Sequence, residues 1–202
     1  MIMIVTFIML FVAERIIKHL FGINLPALFT LAIFFIFSSD YRRERMLNFI
    51  DPWKDAADAG YQLIQSFLAL GSGGLTGLGL GQSRQKTLYM PEPHNDFIFS
   101  IIGEEVGLIG CLFIIGLFLI FIWRGVKVAM NARETYGKLL AMGITSIIAV
   151  QAIINIAVVT GSMPVTGVPM PFISYGGTSL VINLTAMGIL LNISRQVERK
   201  IV

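Results

Sequence analysis

The sequence predicts an all-α fold, a polytopic transmembrane helical bundle with one long extracytoplasmic loop that contains re-entrant or interfacial helices. Three observations carry this expectation. Of 202 residues, 55% are hydrophobic and only 13% charged, and the mean hydropathy is +0.79, outside the usual soluble composition. Apolar runs of membrane length recur along the chain, separated by polar connections. The lysines and arginines then sort by side once the runs are taken as alternating crossings.

The first run, Met1–Ala13, is continuously apolar but reaches only about 20 Å at 1.5 Å per residue, so it reads as a truncated span. It lacks a basic leader and a small-residue cleavage pattern, so no cleavable signal peptide is expected. The second span is expected over 20–39, with Pro26 in its first turns, where proline is better tolerated. Residues 40–96 form a polar, glycine-rich connection far too long for a turn. Within it, Tyr61–Leu70 (YQLIQSFLAL) predicts an amphipathic or re-entrant helix. A third span is expected over 97–123, a fourth over 139–160 and a fifth over 172–193. The prolines Pro164, Pro169 and Pro171 break the connection between the last two.

Alternating crossings place Arg15, Lys18, Arg124, Lys127, Arg133, Lys138, Arg195, Arg199 and Lys200 on one side, against Glu14, Glu134 and Glu198 alone. That side is cytoplasmic by the positive-inside rule, and the tail ends there. The long loop and the proline loop face outward. Cys111 is the single cysteine and lies in an apolar run, which excludes a disulfide within the chain. His19 and His94 are far apart, so no metal-ligand spacing is present. Nucleic acid is not an expected partner.

Chemistry concentrates at Leu88–Gly107 (LYMPEPHNDFIFSIIGEEVG), where the long loop meets the third span. Asp96 there is either a helix N-cap or a functional acid at the membrane mouth. Glu104 and Glu105 lie about 12 to 13 Å deeper on a helix and point about 100° apart, so they cannot share one partner. They are either a buried structural pair or substrate-side groups. The glycine-rich segment Gly71–Gly81 (GSGGLTGLGLG), followed by Arg84 and Lys86, is either a backbone that approaches a phosphate closely or a mobile hinge with two solvated cations. Gln151 and Asn155 share one helix face and, with Asn183, are expected to hydrogen-bond to neighbouring helices.

At these residues the chain resembles the SEDS proteins, the FtsW, RodA and SpoVE group of bacterial cell-wall polymerases. The resemblance rests on GYQLIQS at Gly60–Ser66, GSGGLTGLGLGQSRQK at Gly71–Lys86 and PEPHNDFIFSIIGEEVG at Pro91–Gly107. It continues in INIAVVTG at Ile154–Gly161 and PFISYGGTSL at Pro171–Leu180. SRQK and PVTG look like the FtsW and SpoVE branch rather than RodA. The whole of 1–202 resembles the C-terminal half of the family's membrane domain, and a half-length chain is expected to be inactive alone.

The resemblance implies an inverting peptidoglycan glycosyltransferase that joins lipid II units at the outer face of the bacterial cytoplasmic membrane, in division or sporulation. A lipid II transporter and a non-catalytic scaffold for a penicillin-binding protein are the alternatives. The family's proposed catalytic acid falls on Asp96, although this chain has His94-Asn95-Asp96 where the family usually has a small hydroxyl residue in the middle. Arg84, Lys86, His94, Glu104, Glu105 and Ser174 become the expected substrate-binding residues. A lysine found in some FtsW proteins is replaced here by Thr166. The leaving pyrophosphate calls for positive charge, from the protein or from a divalent cation such as Mg or Mn. Implied partners are lipid II, membrane lipid, a class B penicillin-binding transpeptidase and other division or sporulation proteins.

Overall fold

The computed structural model describes residues 1–13, 49–56, 60–84 and 96–198. The span expected over 20–39 and much of the 40–96 connection lie outside them. The described residues form helices joined by turns: α1 (Ile2–Val12), a short 3-10 helix at Pro52–Asp55, α2 (Tyr61–Gly73), α3 (Ile98–Asn131), α4 (Thr135–Val159) and α5 (Gly177–Glu198). Three of them, α3, α4 and α5, are long and apolar enough to cross a membrane.

The centre of the bundle is α4, which packs against α1, α3 and α5 while α2 lies against α3. In the most apolar window of α4, 56% of residues are buried, against 17% in both α3 and α5. Those two therefore turn most of their apolar surface outward. One core cluster, including Phe97, Val158 and Met170, sits at the end of the bundle that carries the loops. A second, including Ala129, Ile148 and Ile193, fills the opposite end. The helix α2 is tied to the top of α4 by the fully buried hydroxyl of Ser66, which donates to Val159 O at 2.9 Å.

Helix ends differ from the apolar boundaries for physical reasons. The third helix continues through Arg124, Lys127 and Asn131, because cations on long aliphatic stems extend a helix past the apolar zone. Both Arg124 and Lys127 lie over the Trp123 ring, at 5.4 and 5.7 Å from its centroid. The last helix starts at Gly177 rather than near 172, because Phe172 adopts a left-handed backbone (φ 65°) that ends any helical run.

The largest departure from expectation is inside α3. Gly107 has φ 72° and ψ −168°, so the helix is broken there into an outer piece, 98–106, and a longer piece, 108–131. The longer piece alone reaches roughly 36 Å, enough to cross a hydrocarbon core of about 30 Å. A break in such a segment exposes backbone groups that lipid cannot satisfy. The chain between α2 and Arg84 satisfies them. Leu78 N donates to Glu104 O (2.9 Å) and Gly79 N to Glu105 O (3.0 Å). In return Leu108 N donates to Gly74 O (3.0 Å) and Ile109 N to Leu75 O (3.2 Å). The glycine-rich segment is thus the backbone partner of a discontinuous helix.

Such close approach leaves no room for side chains. A Cβ at Gly77, itself at φ 78°, would stand 2.2 Å from Glu105 O, and one at Gly107 would stand 2.4 Å from Gly77 N. Gly77→Ala should therefore destabilise the protein by about 3 kcal/mol, from left-handed strain plus a backbone clash. Gly71→Ala, where a Cβ meets nothing within 4 Å, should stabilise α2 by up to about 1 kcal/mol. Thermal unfolding of both variants in detergent checks the pair; equal Tm values would contradict the junction.

Candidate functional site

Two polar constellations are built around the outer piece of α3. The first surrounds Asp96. The helix does not use this residue as its cap: the cap position falls one residue later, on Phe97, which makes no side-chain cap bond. Ser100 closes the first turn instead, donating to Phe97 O through its amide (3.1 Å) and its hydroxyl (2.7 Å). Phe97 and Ser100 are buried, whereas Asp96 is half-buried at the bundle's loop end.

The Asp96 peptide is held from below. Asn155 of α4 donates through Nδ2 to Asp96 O at 2.8 Å and to Val168 O at 2.9 Å. The connection that precedes α5 is thereby brought against Asp96. Its Gly167 is in the left-handed region (φ 66°), and a Cβ there would stand 3.5 Å from Asp96 Oδ2. The carboxylate consequently lies close to Gly167 of that connection. Further along the same connection, Ser174 is engaged in a turn: its Oγ accepts from Met170 N at 2.8 Å, and its own N donates to Met170 O at 3.0 Å.

The second constellation is centred on Glu104, which is 1% exposed. Its two oxygens are both occupied. Oε2 accepts from the buried Ser83 hydroxyl, and Oε1 accepts from Arg84 N at 3.1 Å. A carboxylate that accepts from a backbone N–H in this way makes a charge-assisted bond, stronger than a neutral one. Glu104 therefore anchors the cation-bearing segment at its first residue, and the exposed Arg84 side chain is carried on an anchored backbone. Glu105 has a different fate. Its Oε1 is buried with no hydrogen-bond partner among the described residues.

Of the expected site residues, the structure brings Asp96 to the Gly167 turn and Glu104 to Arg84. Lys86 and His94 lie outside the described residues. Ser83 and Gly167 were not singled out by sequence reasoning. The polar residues of the spans also differ from expectation: Asn155 reaches two loops rather than a neighbouring helix, and Asn183 bonds within its own helix, to Ser179 Oγ at 3.5 Å. No group of three His, Cys, Asp or Glu side chains converges among the described residues, so these supply no set to hold a divalent cation.

Beside the site, an apolar cleft of about 500 Å³ opens between α2, α3 and α4, lined in part by Leu70, Leu75, Phe99, Leu108, Leu112 and Ile156. Its surface suits an aliphatic chain rather than a polar group.

The anchoring role of Glu104 is testable with trypsin. Glu104→Leu should speed cleavage after Arg84 by about tenfold or more, the loss expected when a backbone N–H and a hydroxyl lose a charged acceptor. Glu105→Gln should leave that rate unchanged, and equal sensitivity in the two variants would refute the assignment.

Comparison with known proteins agrees with this architecture. The family model described as cell cycle protein, covering FtsW, RodA and SpoVE, matches residues 1–199. The chain is 47% identical over 194 residues to a probable peptidoglycan glycosyltransferase FtsW of Geobacter sulfurreducens, covering 96% of this chain and 52% of that protein. It is 49% identical over 188 residues to stage V sporulation protein E of Bacillus subtilis, covering 93% of this chain and 51% of that protein. The chain thus spans about half the length of the curated relatives it matches. A chain solved in a study of how a peptidoglycan synthase complex coordinates polymerization and crosslinking superposes with a TM-score of 0.68 at 27% identity, covering 96% of this chain and 55% of that one. The fold is also that of a mutant of Thermus thermophilus rod shape determining protein RodA, with a TM-score of 0.53 at 24% identity over 95% of this chain and 63% of that one.

Proposed function

The chain belongs to the FtsW/RodA/SpoVE family of cell cycle proteins, and from that premise we propose that it supplies the acid-bearing part of a peptidoglycan glycosyltransferase for division or sporulation. The substrate is lipid II, and the reaction inverts the donor's anomeric carbon. The observation that carries this reading is Asp96: a half-buried carboxylate at the loop end of the bundle, close to Gly167 of the connection that precedes α5.

In the proposed reaction a hydroxyl of the acceptor sugar attacks the donor's anomeric carbon. A new carbon–oxygen bond forms as the bond to the pyrophosphate oxygen breaks, and the bonding pair leaves with the lipid pyrophosphate. The hydroxyl proton passes to the Asp96 carboxylate as general base. Arg84, on the backbone that Glu104 anchors, is the proposed source of charge neutralisation for the leaving phosphates, with Lys86, two residues on in sequence, as the second cation. Among the described residues no group of three His, Cys, Asp or Glu side chains is present to hold the divalent cation that a pyrophosphate leaving group calls for. The apolar cleft between α2, α3 and α4 gives a polyprenyl tail a surface beside the site.

The charge distribution supports an outward-facing loop end and a cytoplasmic tail in the bacterial inner membrane. The outward apolar faces of α3 and α5 leave surface for a partner's span, and a class B penicillin-binding transpeptidase is the proposed partner. Transport of lipid II is the second reading, favoured by the discontinuity in α3 and the unpartnered Glu105 oxygen. Against it, four of the backbone groups flanking the break are already paired by the glycine-rich segment.

The decisive measurement uses protein expressed from its complete reading frame, purified in detergent with lipid II and no bilayer to cross. Asp96→Asn should lower glycan synthesis by at least about a hundredfold, the scale of a lost general base, with expression unchanged. Near-normal synthesis by this variant would sink the assignment. Loss of function only in a bilayer, and only on changing Glu105, would favour transport.

A further inference from the structure

Asn155 bonds to both of the connections that flank the site, at Asp96 O and at Val168 O. It stands in the apolar core of α4 and is 1% exposed, which is an unusual place for an amide. Both hydrogen-bond acceptors in front of it are carbonyl oxygens, Asp96 O and Val168 O, so only its NH2 group can face them. The other half of the amide gains nothing. Asn155 Oδ1 is buried and has no hydrogen-bond partner among the described residues. A buried acceptor without a donor offsets part of what the two donated bonds contribute. What the amide adds is placement.

We infer that Asn155 is a positioning residue that clamps the Asp96 peptide to the Gly167–Val168 turn and so fixes where the Asp96 carboxylate stands between the two connections. The inference rests on the reading of Asp96 as the general base, and it adds a requirement that this reading alone does not contain. The two connections are far apart in sequence, and each has its own freedom. The first begins the outer piece of α3, which the Gly107 break separates from the long piece. The second is punctuated by prolines and by a left-handed glycine. Without a common tether the carboxylate would sample positions relative to the turn, and misplacement of a reacting group by about 1 Å is enough to lower a rate by about a hundredfold. Substrate affinity, which is spread over many contacts, would change little.

Gln151 provides the internal control. It precedes Asn155 by one turn on the same face of α4 and also has a buried side-chain oxygen, Oε1, without a partner. It makes no bond to either connection among the described residues. The test compares Asn155→Leu, similar in volume but without a donor, with Gln151→Leu, both expressed from the complete reading frame. Expected for Asn155→Leu is a fall in kcat of about 10- to 100-fold with KM for lipid II within about twofold, and a lowered Tm that still leaves the protein folded under assay conditions, since Asp96 O and Val168 O lose this donor. Gln151→Leu should retain wild-type kcat.

Hydrogen–deuterium exchange supplies a readout that does not depend on activity. Peptides covering 96–100 and 163–170 should both exchange faster in Asn155→Leu, while those covering 73–79 and 104–109 stay as in wild type. Unchanged exchange in either connection overturns the clamp. So does a wild-type kcat in Asn155→Leu, or a change confined to KM. A wild-type protein that fails to polymerise lipid II counts against the base reading alone, and the exchange measurement then decides the clamp by itself.

Discussion

Backbone hydrogen bonding in an apolar environment is the constraint from which this structure follows. A helix that crosses lipid satisfies its own peptide groups, and a helix that breaks must find partners elsewhere in the protein. At Gly107 those partners come from a segment that returns after α2, and the exchange is reciprocal: two amides donated in one direction, two in the other. Close packing of main chain against main chain explains the glycines better than phosphate approach or simple mobility does. It also places the start of the Ser83–Arg84 segment within reach of Glu104, and it makes the first turns of α3 a separate short piece with Asp96 at its head.

Two of the three acids on that short piece, Glu104 and Asp96, have opposite environments. Glu104 is enclosed, and both of its oxygens are used by neighbouring donors, one of them a backbone amide. Asp96 is half-buried and lies close to Gly167. A carboxylate whose lone pairs are committed to holding the chain, as those of Glu104 are, is poorly suited to accept a substrate proton. The contrast between the two carboxylates thus lies in their burial, and needs no difference in chemical type.

Much of the helical layout was legible in the sequence, because hydrophobic length and turn residues are local signals. The helix at Tyr61–Gly73 and the cores of α3, α4 and α5 lie where the apolar runs placed them. The break at Gly107 was not legible. A glycine inside an apolar run looks the same whether the helix passes through it or stops, and the deciding partner lies some thirty residues earlier in the chain. Asn155 was misjudged for the same reason: a polar residue on a spanning helix suggests a bond to another helix, and only the fold brings two loop carbonyls over it. The cap expected at Asp96 fell on Phe97 because Ser100 closes the turn from inside the helix, an arrangement that a preference for Asp at caps does not foresee.

A junction made of main-chain atoms imposes an unusual pattern of tolerance to change. Leu75, Leu78 and Leu80, which alternate with the glycines, are exposed, so their side chains can drift among apolar types while the peptide groups beneath them keep the same bonds. Proline is the exception, because it removes the donor itself. Positions 78, 79, 108 and 109 each supply an N–H to the exchange and are closed to it, while neighbouring positions are restricted only by size or backbone angle. Across related chains, this stretch should be recognised less by which side chains it keeps than by which residues it never admits.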